Sequence, residues 1–271
     1  MPELPEVETT RRGILPYLEG NKITNAIFRE KRLRWPISHR LASNIKNQSV
    51  LEVSRRGKYI IIWLEKGAAI IHLGMSGSLR IVKIDTPPEK HEHYDLVLSS
   101  GYVLRYKDPR RFGSIHWSNK NPLSHKLLKN LGPEPLSEQF TGEYLYLKSR
   151  NKTLKIKSLI MNSKIVPGVG NIYANEALFH GKIRPGIAAG RISAHRFQEL
   201  TLSIKKILTI AIEQGGTTLR DFVNSEGRPG YFQQRLYVYG RSGQPCRICK
   251  TKIKSVMQNQ RATYYCPNCQ C

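Results

Sequence analysis

The segment CRICKTKIKSVMQNQRATYYCPNC, residues 246–269, contains two Cys-x-x-Cys pairs separated by sixteen residues. Four thiolates at this spacing are typical of one tetrahedral zinc ion held between two short turns. Because sulfur would fill all four positions, no open position remains for a catalytic water or a substrate. The segment therefore predicts one structural Zn²⁺, with the ligands Cys246, Cys249, Cys266 and Cys269. Cys271 lies outside both pairs and is predicted to be a spare thiol.

The charge of the chain is strongly basic. Its 271 residues include 44 Lys and Arg against 20 Asp and Glu, a formal net charge of +24. The excess is spread along the whole sequence, and after Glu226 there are eight basic residues and no acidic one. A surface that served only solubility would more often be acidic. The composition therefore predicts a globular protein that binds nucleic acid.

The sequence shows no sign of a membrane or secreted protein. No apolar run approaches the roughly 18 residues of a membrane span, and the first eight residues are acidic, unlike the basic start of a signal peptide. We therefore expect a cytoplasmic protein with no membrane partner. In that compartment, five cysteines favour thiolate and metal chemistry over disulfides.

Hydrophobic patterning divides the chain into two parts. Between Val50 and Leu104, runs such as YIIIWL, AAIIHL and YDLVL predict short strands of an antiparallel sandwich or barrel. The sequence LGPEP at 131–135 marks a break, beyond which the pattern becomes helical. Helices are predicted over Leu154–Ser163, Asn171–His180 and Ser193–Gln214. Gly227–Gly230 is predicted to be a hinge that leads to the zinc ribbon.

Pro2 follows an initiator methionine that is normally removed, and removal would leave a secondary amine as the α-amino group. Two interpretations remain open. Proline and the acidic residues Glu3, Glu6 and Glu8 suit the first turn of a helix and the positive end of its dipole. Alternatively, the helix start lowers the pKa of the amine, which acts as a nucleophile while Glu3 exchanges protons beside it. Attack on a sugar carbon would give an iminium ion that withdraws electrons from the neighbouring carbon.

The next candidates lie in the strand start GKYIIIW, which contains Lys58, and in two glycine-bounded turns, HLGMSG and DPRRFG. Lys58 and His72 are candidate phosphate contacts, and Met75 is a candidate wedge between bases. Arg110 and Phe112 could replace a base lifted out of a duplex, because the ring fills the stack and the guanidinium bonds the orphaned partner. The alternatives are a solvated lysine, a capped histidine, a core methionine and a salt-bridged surface turn.

The sequence PGVGN at 167–171 leads directly into a helical pattern. Backbone amides at a helix start form an anion site when glycines permit close approach, and Asn171 is expected to cap the helix or to contact a phosphate. A Gly-x-Gly pair alone is weak evidence for a phosphate-binding loop. Because the preceding segment is helical, a dinucleotide-binding fold is not expected.

Together these motifs resemble those of the bacterial formamidopyrimidine-DNA glycosylases, which repair oxidised guanine. The resemblance spans essentially the whole chain, with PELPEVE, RRGKY, HLGMSG, DPRRFG, GVGNIYANE, QGGTTLRDF, GRPGYFQQRLYVYGR and QRATYYCPNC in family order. It implies an α+β protein with DNA held in a cleft between lobes. The implied domains are an N-terminal helix with a β-sandwich at 1–132, a helix-two-turns-helix domain at 133–236 and a C-terminal zinc finger β-hairpin at 237–271.

The resemblance also implies roles for single residues. Pro2 would be the nucleophile at C1′ of the damaged nucleotide, with Glu3 as its acid/base partner. The groups on the phosphate side would be Lys58, His72, Asn171, Tyr239 and Arg261, of which Lys58 and Arg261 also belong to the catalytic set. A void-filling triad would consist of Met75, Arg110 and Phe112, with Arg110 facing the estranged cytosine. The Thr217–Val223 loop, which includes the DNA-binding residue Arg220, would close over the flipped lesion.

The implied reaction is base excision followed by β- and δ-elimination. Iminium formation acidifies the C2′ proton, loss of that proton expels the 3′-phosphate, and repetition expels the 5′-phosphate. This chemistry needs no redox cofactor or catalytic metal. The implied partner is damaged double-stranded DNA, bound by a monomer in the bacterial cytoplasm that associates with the nucleoid through DNA.

Two positions depart from the family pattern. Asn162 stands where aspartate is common, and Arg220 stands where lysine is common, and both bear on the range of lesions. A rival within the same fold is an oxidised-pyrimidine glycosylase resembling endonuclease VIII. Such proteins usually begin PEGPE and lack DPRRFG, whereas this chain has Leu4 and the intact loop. A rival of another class is a non-catalytic damage sensor that uses the same basic surface and ribbon.

Overall fold

The computed structural model describes residues 1–216 and 236–271, which form two compact units. The first unit comprises residues 1–130 and 214–216, and the second comprises residues 131–213 and 236–271. Among these described residues, no helix combines the length and the hydropathy that a bilayer-spanning segment needs.

The first unit contains helix α1 (Leu4–Leu18), the short helix α2 (Leu41–Ile45) and eight antiparallel strands. The strands are β1 (Lys22–Phe28), β2 (Gln48–Arg56), β3 (Tyr59–Leu64), β4 (Gly67–His72), β5 (Ser78–Lys83), β6 (Glu92–Leu98), β7 (Tyr102–Lys107) and β8 (Ser114–Ser118). Their order is β5-β7-β6-β1-β2-β3-β4-β8. Only two residue pairs join β1 to β2, Lys22 with Ser49 and Ile23 with Gln48, so the sheet divides into two four-stranded halves.

The two halves share one hydrophobic core. Ile60 and Ile62 of β3 belong to the same buried cluster as Leu96 of β6 and Leu104 of β7, and α1 adds Ile14. Side chains from facing strands that bury one another in this way define a sandwich. The predicted N-terminal β-sandwich is confirmed, and the runs YIIIWL, AAIIHL and YDLVL fall within β3, β4 and β6, apart from the last residue of AAIIHL.

The second unit is helical, with a terminal β-hairpin. Its elements are α3 (Gly142–Ser149), α4 (Ile156–Ile160), α5 (Asn171–His180), α6 (Ala194–Glu213), β9 (Lys254–Gln258) and β10 (Arg261–Tyr265). The α5 prediction is confirmed residue for residue, and the α6 prediction is confirmed within one residue at each end. The predicted helix Leu154–Ser163 was too long, because Lys155 is extended and forms a β-bridge with Ala188. Helix α3 was missed.

A buried carboxylate fastens α1 to the β2–β3 turn. Glu8 accepts hydrogen bonds from Arg11, Arg12 and Arg55, and Arg55 in turn donates to the carbonyl oxygen of Gly57. Burial alone would raise the pKa of Glu8, but hydrogen bonds from Arg11 and Arg12 and the charge of Arg55 hold it at about 2. The start of α1 is thus tied to the turn that carries Lys58.

We expect Glu8→Gln to lower the free energy of unfolding by about 3 kcal/mol, because three guanidinium groups lose their common anion. The folded-state pKa of Glu8 lies below its ordinary value of 4.5. Its contribution is therefore complete above that pH and is lost as the pH falls toward 2. Urea unfolding of native and variant protein at several pH values measures this difference. Glu52→Gln, at an exposed position of β2, is the control, and an equal loss in both variants would contradict the assignment.

Candidate active site and zinc centre

The N-terminal segment is built as the start of α1. The backbone N–H of Glu3 donates to Glu6 Oε2 at 2.9 Å, and the Glu3 carboxylate accepts from the backbone N–H of Glu6, which completes a capping box. Pro2 and Glu3 are buried, whereas Met1 is 37% exposed. An amine at residue 2 would lie at the positive end of the helix dipole, which disfavours its protonated form.

Strand register gathers three turns at one end of the sandwich. Tyr59 pairs with His72, and His72 pairs with Ser114, so the start of β3, the end of β4 and the start of β8 are neighbours. The adjoining segments are the Gly57–Lys58 turn, the HLGMSG turn and the DPRRFG loop. Gly57 has φ of +58° in the two-residue turn, a conformation that suits glycine and sets the position of Lys58.

The fully buried carboxylate of Asp108 holds two of these turns together. One oxygen accepts from the Ser76 hydroxyl at 2.7 Å and from the Arg110 backbone N–H at 3.2 Å. The other accepts from the Tyr106 hydroxyl at 3.0 Å and from the Gly113 N–H at 2.8 Å. Sequence reasoning missed this residue, although the Asp-Pro pair that begins DPRRFG is a common turn signal.

The two turns touch through their backbones. A Cβ on Gly74 would lie 2.4 Å from the Gly113 nitrogen, so only glycine permits this approach. The contact leaves Met75 and Phe112 exposed at 37% and 43%, large apolar side chains that face solvent. The Arg110 guanidinium carbon lies 5.0 Å from the centre of the Phe112 ring. The structure therefore brings together the two turns that carry the predicted triad.

His72 is a neutral hydrogen-bonding group. Burial, together with the charges of Lys58 and Arg34, lowers its pKa to about 4. Its Nδ1 accepts from the Gly74 N–H at 3.0 Å, which leaves Nε2 as the protonated nitrogen. His72 can therefore donate a hydrogen bond at neutral pH, but it adds no charge there.

In the second unit, the start of α5 meets the hairpin. The carbonyl oxygen of Ala262 accepts from Asn171 Nδ2 at 3.0 Å and from Lys157 Nζ at 3.1 Å, next to the exposed Arg261. The expectation that Asn171 caps α5 was wrong, because Gly170 is the N-cap and the Asn171 amide turns to Ala262 instead. Asn171 Oδ1 is buried without a partner among the described residues. Lys157, which is buried within α4, was missed.

Glu176 positions the segment that contains Tyr239. Its fully buried carboxylate accepts the backbone N–H groups of Tyr237, Val238 and Tyr239 at 2.8, 3.0 and 2.8 Å. Burial raises the pKa of Glu176, and the three hydrogen bonds oppose that rise. Sequence reasoning missed this residue, for which the only signal was an acidic side chain inside the apolar pattern NIYANEALF.

Of the two positions that depart from the family pattern, only Asn162 lies among the described residues. Asn162 is exposed, and its Oδ1 accepts the Lys164 N–H at 3.0 Å, a bond that an aspartate could also make. The substitution therefore removes a charge and keeps the turn. Arg220 and the predicted Thr217–Val223 loop lie outside the described residues.

The four predicted zinc ligands converge. Their Sγ atoms all lie within 4.8 Å of one another. The Cys246–Cys269 and Cys249–Cys266 sulfur separations are 3.9 and 3.4 Å. Tetrahedral Zn–S bonds of about 2.3 Å place sulfurs about 3.8 Å apart, so the cluster fits one zinc ion. Its buried cysteines pack against Phe179 and Val238, which joins the ribbon to the helical unit.

A tight β-hairpin joins the two cysteine pairs of the zinc ribbon. Asn259 and Gln260 have φ of +47° and +58°, the pair of left-handed residues that a two-residue type I′ turn requires. Asn259 Nδ2 donates to the Ser158 hydroxyl at 2.9 Å and fixes the turn against α4. This turn presents Arg261 at the first position of β10.

Three family models match successive parts of the chain. They are the formamidopyrimidine-DNA glycosylase N-terminal domain at residues 1–115, the formamidopyrimidine-DNA glycosylase H2TH domain at 131–223, and a zinc finger found in FPG and IleRS at 243–270. Formamidopyrimidine-DNA glycosylases of Pseudomonas putida and Pseudomonas aeruginosa are 54% and 55% identical over 270 residues, 100% of both chains in each case.

Solved structures give the same result. The MutM (FPG) protein of Thermus thermophilus is 35% identical with a TM-score of 0.89, over 99% of this chain and 98% of that one. A Lactococcus lactis FPG mutant bound to DNA containing Fapy-dG is 34% identical with a TM-score of 0.93, over 99% of both chains. Fold and comparisons define a zinc-finger DNA glycosylase of base excision repair. More specifically, the chain belongs to the formamidopyrimidine-DNA glycosylase family, whose members remove oxidised purines.

We expect Asp108→Asn to lower the free energy of unfolding by about 2 to 4 kcal/mol, because an amide cannot accept all four hydrogen bonds. Amide hydrogen exchange should accelerate in residues 108–113 at the same time. Asp85→Asn, at an exposed position, should change neither quantity. Unchanged exchange in the Asp108 variant would show that the carboxylate does not hold the loop.

We expect one zinc ion per chain, and Cys249→Ser should abolish its retention and lower the unfolding temperature, because three sulfurs hold the ion poorly. Cys271→Ser should retain the full equivalent. Metal content by mass spectrometry and thermal unfolding measure both effects. Loss of zinc from the Cys271 variant would mean that the ligand set is wrong.

Proposed function

We propose that this protein excises 8-oxoguanine and formamidopyrimidines from damaged double-stranded DNA and then cleaves the strand by β- and δ-elimination. The observation that carries this proposal is the N-terminal structure, in which Pro2 and Glu3 open a capped helix within a chain that matches this family along its whole length. Removal of Met1 exposes the secondary amine that the chemistry requires.

The proposed reaction begins at the Pro2 nitrogen. Its lone pair bonds to C1′ as the glycosidic bond breaks and the departing base takes up a proton. The sugar ring opens to an iminium ion, and Glu3 serves as the acid and base for the proton transfers. The iminium ion acidifies C2′, so proton loss expels the 3′-phosphate. A second elimination expels the 5′-phosphate, and water then releases the sugar fragment from the amine.

Each unit contributes groups that suit binding to DNA. In the first unit, Lys58 and His72 are proposed to contact phosphates, with Lys58 also assisting catalysis. Met75, Arg110 and Phe112 are proposed to fill the void left by the flipped nucleotide, and Arg110 to bond the estranged cytosine. In the second unit, the proposed groups are Asn171, Tyr239 and Arg261, of which Arg261 also belongs to the catalytic set. Arg220 is proposed to contact the lesion nucleotide.

The remaining proposals concern the context of the enzyme. We propose a monomer in the bacterial cytoplasm, associated with the nucleoid through DNA, because one chain offers both the amine and the DNA-binding groups. The three-domain division at 132 and 236 also remains a proposal. It rests on the change from strands to helices and on the zinc ribbon.

Incubation with duplexes that pair 8-oxoguanine with cytosine tests the function. The expected product is a gap with phosphate at both ends, and borohydride should trap a covalent complex. Binding without cleavage or trapping would favour the damage sensor. A parallel incubation with a duplex that contains an oxidised pyrimidine is needed, because a structure of the Lactococcus lactis FPG contains DNA with such a lesion.

We expect Pro2→Gly to abolish strand cleavage, a loss of at least about 100-fold, because the adduct of a secondary amine is a permanently cationic iminium ion, whereas the imine of a primary amine must first be protonated to acidify C2′. Pro16→Ala changes an exposed proline within α1 and should cleave at the native rate. Rapid-quench kinetics on the same duplex compares the two. Native cleavage by the Pro2 variant would show that the mechanism does not need a secondary amine.

We expect Arg261→Ala and His72→Ala to differ in their salt dependence. A phosphate contact made by a cation releases counterions, so the Arg261 variant should reduce the slope of log affinity against log salt by about 1. His72 is neutral at pH 7, so its variant should bind more weakly with an unchanged slope. Fluorescence anisotropy over a range of KCl concentrations gives both slopes. A smaller slope for His72→Ala would contradict the neutral assignment.

A further inference from the structure

The segment that follows β1 contacts the DPRRFG loop. The backbone N–H of Arg34 in this segment donates to the carbonyl oxygen of Gly113, the last residue of the loop, at 3.1 Å. The next residue, Ser114, pairs with His72, and His72 pairs with Tyr59. The backbone of Arg34 is therefore fixed beside the end of the sandwich that carries His72, one of the proposed phosphate contacts.

Arg34 differs from the arginines around it because it has no carboxylate partner. Arg32 and Arg111 share the carboxylate of Glu30, at 3.2 and 3.0 Å. Within the part of the chain that the structure describes, the Arg34 guanidinium forms no ion pair, and its side chain is exposed. An exposed cation that no internal anion neutralises is available to an anionic ligand.

The Arg34 side chain also has an aromatic support. Its guanidinium carbon lies 4.9 Å from the centre of the Trp35 ring, and the Trp35 ring meets His116 edge-on at 5.3 Å. An arginine that already rests on an aromatic face loses less conformational freedom when it binds an anion. The contact therefore orients the guanidinium before a ligand arrives.

The charge of Arg34 acts on the groups at this end of the sandwich. Burial lowers the pKa of His72 to about 4, and the charges of Lys58 and Arg34 lower it further in the same direction. Burial raises the pKa of Tyr59, and Arg34 opposes that rise. Both effects agree with the strand register in placing the guanidinium near these two rings.

We infer that Arg34 is a further phosphate-binding residue, which bonds a backbone phosphate of the bound duplex next to the phosphate proposed for His72. A guanidinium can bond two phosphate oxygens at once, whereas neutral His72 donates a single hydrogen bond and adds no charge. Arg34 would thus supply a cation beside the loop that carries Arg110 and Phe112. The inference rests on the proposed function only in taking damaged duplex DNA as the ligand.

Fluorescence anisotropy over a range of KCl concentrations tests the inference, with a duplex that contains a tetrahydrofuran abasic analogue. Arg34→Ala should weaken binding about tenfold, the value of one charged hydrogen bond, and should reduce the slope of log affinity against log salt by about 1. Arg34→Lys should keep the slope, because the cation remains. The Ala variant retains the backbone N–H that bonds Gly113, so its unfolding temperature should match the native one.

Lys22→Ala is the matched control and should bind as the native protein does. Lys22 is exposed and pairs with Ser49, beside the Leu64 end of β3 and away from its Tyr59 end. Equal binding by Arg34→Ala and Lys22→Ala would overturn the inference. Weaker binding by Arg34→Ala with an unchanged salt slope would overturn it as well, because no phosphate contact would then have been lost.

A scan with single methylphosphonates locates the phosphate. At one position, the neutral substitution should weaken binding by the native protein about tenfold and should weaken binding by Arg34→Ala no further. Equal losses in both proteins at every position would show that Arg34 contacts no phosphate. A native protein that binds this duplex but leaves 8-oxoguanine in place would refute the catalytic proposal and would leave both binding results unaffected.

Discussion

The carboxylate of Asp108 is the contact on which the exposed loops of the first unit depend. Its four hydrogen bonds reach both the HLGMSG turn and the DPRRFG loop, and they come from groups that burial would otherwise leave unpaired. Because these hydrogen bonds pair the buried polar groups of the two turns, Met75 and Phe112 can remain exposed to solvent. Exposed apolar side chains of this kind suit insertion into a partner, and their proposed role is to fill the space that a flipped base leaves in a duplex.

Buried carboxylates accept hydrogen bonds elsewhere in the protein as well, and their burial affects how charge is distributed between the interior and the surface. Among the described residues, seven acidic side chains are buried against two basic ones. The acidic residues are Glu3, Glu6, Glu8, Glu92, Asp95, Asp108 and Glu176, and the basic ones are Arg105 and Lys157. Carboxylates thus serve as internal acceptors for loops and helix ends, while most cations stay at the surface. This distribution makes the surface more cationic than the composition alone implies, which favours association with a polyanion.

Much of this structure could be predicted from the sequence. The zinc ligands follow from spacing, β3 and β4 from their apolar runs, and α5 from its pattern, because each signal is local. The buried polar contacts that hold the loops in place could not be predicted in this way. Glu176 acts on a segment that only the fold brings close, Asp108 joins its own loop to the distant Ser76, and Asn171 donates to Ala262 instead of capping its helix. Met75, Arg110 and Phe112 could be identified as candidates from the sequence. The sequence did not reveal that the Asp108 carboxylate holds both of the turns that carry them.

The proposed chemistry depends on one small group, the nitrogen of residue 2, which the start of α1 holds at the positive end of a helix dipole. Tandem mass spectrometry of the borohydride-reduced conjugate between the native protein and an 8-oxoguanine duplex tests this claim most directly. The reduced sugar should be found on the Pro2 nitrogen of chains that lack Met1. Attachment to Lys58 or another internal side chain, or full activity in chains that keep Met1, would contradict it.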